Sequence, residues 1–157
     1  MRRRRPWNDL RARLADDTGS AALEFIVVGL LLLVPIVYLV VALGMIQGQS
    51  LGAESGARHI ARAVATAEGV DAADARASAI LATVVSEYGL DAERVNVDVS
   101  CRDPASSCPA AGATVVVTVR TELALPLVPP VLGLDRLATI PIEASAAQKV
   151  SRFWSDG

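Results

Sequence analysis

The 157-residue chain has one histidine, His59, and two cysteines, Cys101 and Cys108. With no cysteine near His59 and no second imidazole, the ligand sets that hold zinc are missing, and no metal is expected. Aromatic residues make up only 4% of the chain, although hydrophobic residues make up 52%. Much of that apolar excess lies in one block, which points to a membrane segment rather than a large core. There is no G-x-S-x-G elbow, no P-loop and no G-x-G-x-x-G after a strand, and the acidic residues follow no paired-carboxylate spacing. No nucleophile–base pair is legible, so neither an enzyme, a catalytic residue nor a cofactor is expected.

The net charge of -2 hides an asymmetry. Residues 1–19 carry six Arg against three Asp, a net +3, and residues 20–157 carry nine basic against fourteen acidic residues, a net -5. An acidic body argues against nucleic acid as a partner. Beside an apolar span, the "RRRR" of residues 2–5 reads as an orientation signal.

Residues 25–46 form a run of 22 without a formal charge. A bilayer core takes about 20 helical residues, whereas the apolar part of a secretory signal is usually about 7–15. A membrane span fits the run; a signal cut near Ala53, in "QSLGA", is the other reading. The positive-inside rule places the arginine-rich start in the cytoplasm and everything beyond residue 46 outside. Cys101 and Cys108, seven positions apart in "CRDPASSC", then read as a disulfide closing a small loop, the alternative being two unrelated thiols.

Three parts follow: a cytoplasmic leader over residues 1–19, one long helix over residues 20–69 and an extracytoplasmic domain over residues 70–157. Pro35 is expected to kink or loosen the helix within the membrane. Beyond it Gly44, Gly48, Gly52 and Gly56 recur every four residues, with Ala53, Ala57, Ala61 and Ala65 one position around. Such a row fits a packing face for another helix; it equally fits a flexible joint between membrane and domain. Glu54, Arg58 and Arg62 supply a solvated stripe with one ion pair.

The domain reads as α+β. "VDAADARASAILATVVSEYG" predicts a helix with Asp71 as N-cap, Asp74 adding charge, Gly89 as stop, and Ala73, Ala77, Ile80, Leu81, Val84 and Tyr88 on one face. "RVNVDVSC" alternates as a half-buried strand, "ATVVVTVRTELAL" is a longer one, and a third runs over residues 139–148, at an edge because of Pro141. The expected architecture is a long transmembrane helix followed by a helix packed on a small antiparallel meander, a pilin-like layout. Between the last two strands, "LPLVPPVLGLD" is apolar for a loop; it either folds over its own sheet or serves as a docking patch.

Glu24 stands at the edge of the uncharged run, either as a headgroup-boundary marker or as the functional residue of the segment. A basic leader ending in Gly19, then "SAALEF", then a long apolar helix resembles a type IV prepilin signal. The wider stretch "GSAALEFIVVGLLLLVPIVYL", with its Glu24–Phe25 pair and a Pro in the span, resembles the TadE-like pseudopilins of tight-adherence (Flp) pilus systems, and "LPLVPPVLGLDRLATIPIEASAAQKV" is more loosely similar. The resemblance implies cutting after Gly19 by a prepilin peptidase, which makes Ser20 the first residue and Glu24 the fifth. It also implies partners: the peptidase, other pilin or pseudopilin subunits and an assembly platform in the cytoplasmic membrane. A carboxylate at depth in a bilayer costs about 2.5–3.5 kcal/mol on insertion scales, and a new ammonium on Ser20 would lower that penalty. Pairing of Glu24 with the Ser20 amine of an adjacent subunit would set the axial register of assembly. The other function classes are an uncleaved single-pass component of a secretion or envelope complex and a membrane-anchored enzyme.

Overall fold

The structure is a computed structural model and describes residues 20–102, 108–126 and 138–154. Its elements are α1 (Ser20–Ala65), α2 (Val70–Tyr88), β1 (Asn96–Cys101), β2 (Thr114–Ala124) and β3 (Thr139–Lys149). The α+β class read from the sequence is the class observed: a long apolar amino-terminal helix, a second helix and a three-stranded antiparallel sheet. Two compact units make up the chain, Met1–Val41 and Ala42–Gly157. Their boundary falls inside α1, upstream of the junction expected near residue 69, because α1 residues from Ala53 to Ala65, with Ile46 against them, share a core with the sheet.

In the first unit the described residues, 20–41, are all helical, and the side chains from Leu23 to Val41 are almost uniformly exposed. Only 6% of the most apolar 18-residue window is buried. A core helix of a soluble protein would hide such a window; this one is long and apolar enough to cross a membrane. A helix suits that setting because it satisfies its backbone hydrogen bonds internally. It runs through Pro35 as a single element.

The second unit begins with the rest of α1, where the two small-residue rows have different partners. Ala53, Ala57, Ala61 and Ala65 are buried together with Ile60 and Val64 in a cluster that includes Val115, Val117, Val119 and Leu123 of β2. Gly52 and Gly56 meet α2: a Cβ on Gly52 would lie 2.6 Å from Tyr88 Cβ, and one on Gly56 would lie 3.4 Å from Val84 Cγ1. Helix continuity through four glycines, each costing about 1 kcal/mol against alanine, is supported over the last two by this packing. α1 stops at Ala65, short of the residue 68–69 end expected from the sequence. There the Thr66 hydroxyl donates to Arg62 O at 2.9 Å, and the Ala65 carbonyl accepts from Ser151 N instead of from a further turn.

α2 opens on Gly69 without a side-chain cap, so Asp71 is not the N-cap expected; it lies in the first turn and acts on the helix dipole by charge. At the other end Gly89 is left-handed (φ 62°), and Leu90 N donates to Val85 O at 3.1 Å, closing the helix as expected. Ala73 and Val84 are buried on the predicted face, and Ala77, Ile80 and Leu81 pack against the same core.

The sheet order is β1-β2-β3, all antiparallel, with Val97 opposite Val119 and Val119 opposite Ala144. β2 is central, and its row Val115, Val117, Val119, Thr121 and Leu123 faces the core. Ile60, Val115, Val117 and Val119 are the largest fully buried side chains, worth about 2 kcal/mol each. β3 is an edge, which accommodates Pro141. The opposite face is polar: Thr118 Oγ1 and Ser145 Oγ lie 2.9 Å apart, and Arg120 donates to Glu143 through Nε (3.0 Å) and Nη2 (3.4 Å). That hydrogen bond, the Glu143 charge and nearby Asp98 raise the Arg120 pKa above its ordinary value. After β3, Val150 N donates to Ala113 O, and Val150 and Trp154 complete the core. The apolar crossover residues Leu127, Val128, Val131, Leu132 and Leu134 lie outside the described residues.

Candidate functional site

Ser20 is the first described residue of α1, and Glu24 lies one turn further on the same face, about 6 Å along the axis. Side chains on a helix lean toward its amino terminus, so the Glu24 carboxylate is carried back toward Ser20. Glu24 is exposed, and among the described residues none forms an ion pair with it. Phe25, 80% exposed, stands beside it at the head of the apolar stretch. The helix thus carries a carboxylate and an aromatic ring at successive positions, followed by a stretch without formal charge. Gly19, the other half of the expected processing site, lies outside the described residues.

The signal-peptide alternative meets an obstacle. A cut near Ala53 would divide α1 at a residue that is fully buried, and would remove the turns that carry Gly52 from the domain. A cut before Ser20 leaves the described residues of α1 together.

The glycine row divides. Gly52 and Gly56 face the chain's own second helix and the sheet, whereas Gly44 and Gly48 have no heavy atom within 4 Å of where a Cβ would be. α1 is unbroken through all four, and the packing-face reading has a partner in α2 at Gly52 and Gly56. The expected ion pair on the solvated stripe is present between Glu54 and Arg58. Cys101 and Cys108 are joined at 2.08 Å between sulfurs, at the end of β1. Residues 103–107 of the loop they close lie outside the described residues. No group of three or more His, Cys, Asp or Glu side chains suited to a metal occurs among the described residues.

Sequence reasoning missed two features of the second unit. One is an open groove of about 440 Å³ between α1 and α2, with Ser55 and His59 on one wall and Ile80, Thr83, Val84 and Glu87 on the other. No motif marks it, since it exists only where two helices approach over small residues. The other is the turn after β3, where Phe153 is 95% exposed between the buried Val150 and Trp154. Its signal was a pair of aromatics in a chain with few. No family model matches this chain, and neither does any curated protein or solved structure.

Proposed function

We propose that the chain is a TadE-like minor pilin or pseudopilin, cut between Gly19 and Ser20 by a prepilin peptidase and acting in assembly of a tight-adherence pilus. In this reading the leader lies in the cytoplasm, α1 crosses the cytoplasmic membrane once, and the α+β domain lies outside. The observation that carries it is Glu24, an acidic residue one helical turn after Ser20 in a helix that then runs uncharged for 22 residues and ends in a folded domain. A carboxylate there gains most from a nearby cation, and cleavage before Ser20 creates one at the head of the same helix. With the amine of an adjacent subunit as partner, the pair fixes how far one subunit is displaced along the next.

The mature amino terminus is the direct test. Sequencing of the membrane-extracted protein gives Ser20 where the peptidase is active and Met1 where it is deleted. A protein that begins at Met1 in both strains overturns the reading and leaves an uncleaved membrane component. Glu24→Gln and Glu24→Val leave insertion and cleavage intact and abolish assembly, measured as incorporation into sheared filaments or as surface piliation. Normal piliation in both variants removes the role given to Glu24.

A further inference from the structure

The second unit carries a projecting side chain and a cavity that do not meet each other. Phe153 is 95% exposed, although its neighbour Trp154 is only 6% exposed. The turn that presents it is anchored. Ser151 N donates to Ala65 O at 2.9 Å, Phe153 N to Ser151 Oγ at 3.1 Å and Trp154 N to Ser151 O at 3.3 Å. A ring held out on a fixed turn loses little further freedom on docking. Lys149 and Arg152 line a cleft at the same turn, and among the described residues neither is in an ion pair.

The groove between α1 and α2 has the complementary character. Ile80, Val84 and Ala79 give it an apolar wall, and Glu87, likewise without an ion pair among the described residues, sets a carboxylate at its side. Its volume of about 440 Å³ exceeds what a benzyl group fills. Ser151 ties the Phe153 turn to the last residue of α1, while the groove lies beside Ser55 and His59, roughly 9–15 Å back along that helix. The ring and the groove of one chain are therefore too far apart to meet.

We propose that the outer domain binds a second copy of this chain head to tail, Phe153 of one copy entering the α1–α2 groove of the next, with Arg152 against Glu87. The contact is heterologous, because the two surfaces differ and lie at different heights along α1. Two copies with parallel, level helices cannot make it, whereas copies displaced along the helix axis can, and repetition extends a row rather than closing a pair. The inference does not depend on cleavage at Gly19.

The test uses the full chain in native membranes, with a photo-crosslinking phenylalanine analogue at position 153 and a mixture of light and heavy isotope labels. The expected result is a mixed-label adduct on the peptide carrying Thr83 and Glu87. Glu87→Lys lowers its yield about three- to tenfold, and adding Arg152→Glu restores it. Thr83→Trp, which fills the groove, lowers the yield about tenfold or more with unchanged thermal unfolding of the domain. An adduct confined to one copy, to lipid, to another protein or to another face overturns the proposal, as does failure of the charge exchange to restore it. N-terminal sequencing of the same sample reports cleavage separately.

Discussion

Gly48 and Gly52 lie one turn apart in the same row, and their surroundings predict opposite responses to the same added methyl. A Cβ on Gly48 meets nothing within 4 Å, so Gly48→Ala acts through helix propensity alone and stabilises by up to about 1 kcal/mol. A Cβ on Gly52 falls 2.6 Å from Tyr88 Cβ, an atom fixed to the α2 backbone, so one helix must shift. Gly52→Ala destabilises by about 1–3 kcal/mol despite the gain in propensity. Denaturant unfolding of the full chain in detergent, followed by the near-ultraviolet signal of the domain, checks both; equal responses would contradict the division of the row. The four-residue spacing was legible in the sequence, and so was the idea of a packing face. Which two glycines are occupied was not, because that depends on where Val84 and Tyr88 of a separate helix arrive. Asp71 shows a second limit at this scale: aspartate is a good cap residue, yet the chain enters α2 through Gly69, two residues before Asp71, which falls in the first turn instead.

At the scale of elements, periodic patterns translated well. Val95, Val97 and Val99 alternate in the sequence, and β1 follows with Val97 and Val99 opposite Val119 and Val117. Pro141 excluded a central position for its strand, and β3 is an edge. The closing turn has no period: Val150 and Trp154 join the core through a short irregular segment that completes hydrogen bonding at Ala113 and Ala65, and only tertiary contact reveals it. The hairpin between β1 and β2 is held differently, by the Cys101–Cys108 bond across a sequence separation of 7. A loop of this size limits the unfolded chain by about 2 kcal/mol in the chain-entropy account. Replacing both cysteines by serine lowers the unfolding free energy of the domain by about that amount. It leaves the fraction of protein in the membrane unchanged, since α1 is untouched. The pair is measured by denaturant midpoint and by flotation; a loss of membrane association would mean that the hairpin does more than close β1 onto β2.

For the whole molecule, the charge distribution and the cysteine pair suit the proposed orientation. The first 19 residues are net positive, the remainder is net negative, and the two cysteines lie beyond the apolar stretch, joined. In the proposed topology the arginines stay where they are made and the cysteines reach an oxidising compartment. The features can be separated by experiment because only the charge is an input; the disulfide is a consequence of where the domain ends up. Replacing Arg2, Arg3, Arg4, Arg5, Arg11 and Arg13 by Ser, Asn or Gln removes the bias without altering any residue of α1 or of the domain. Protease added to spheroplasts then reaches the domain in a smaller fraction of chains than in the parent. In the protected fraction Cys101 and Cys108 react with a thiol reagent without prior reduction, because those chains have left the domain in the reducing compartment. In the parent chain they react only after reductant. A bond that forms equally in protected and accessible chains would uncouple the disulfide from topology and remove it as support for the orientation.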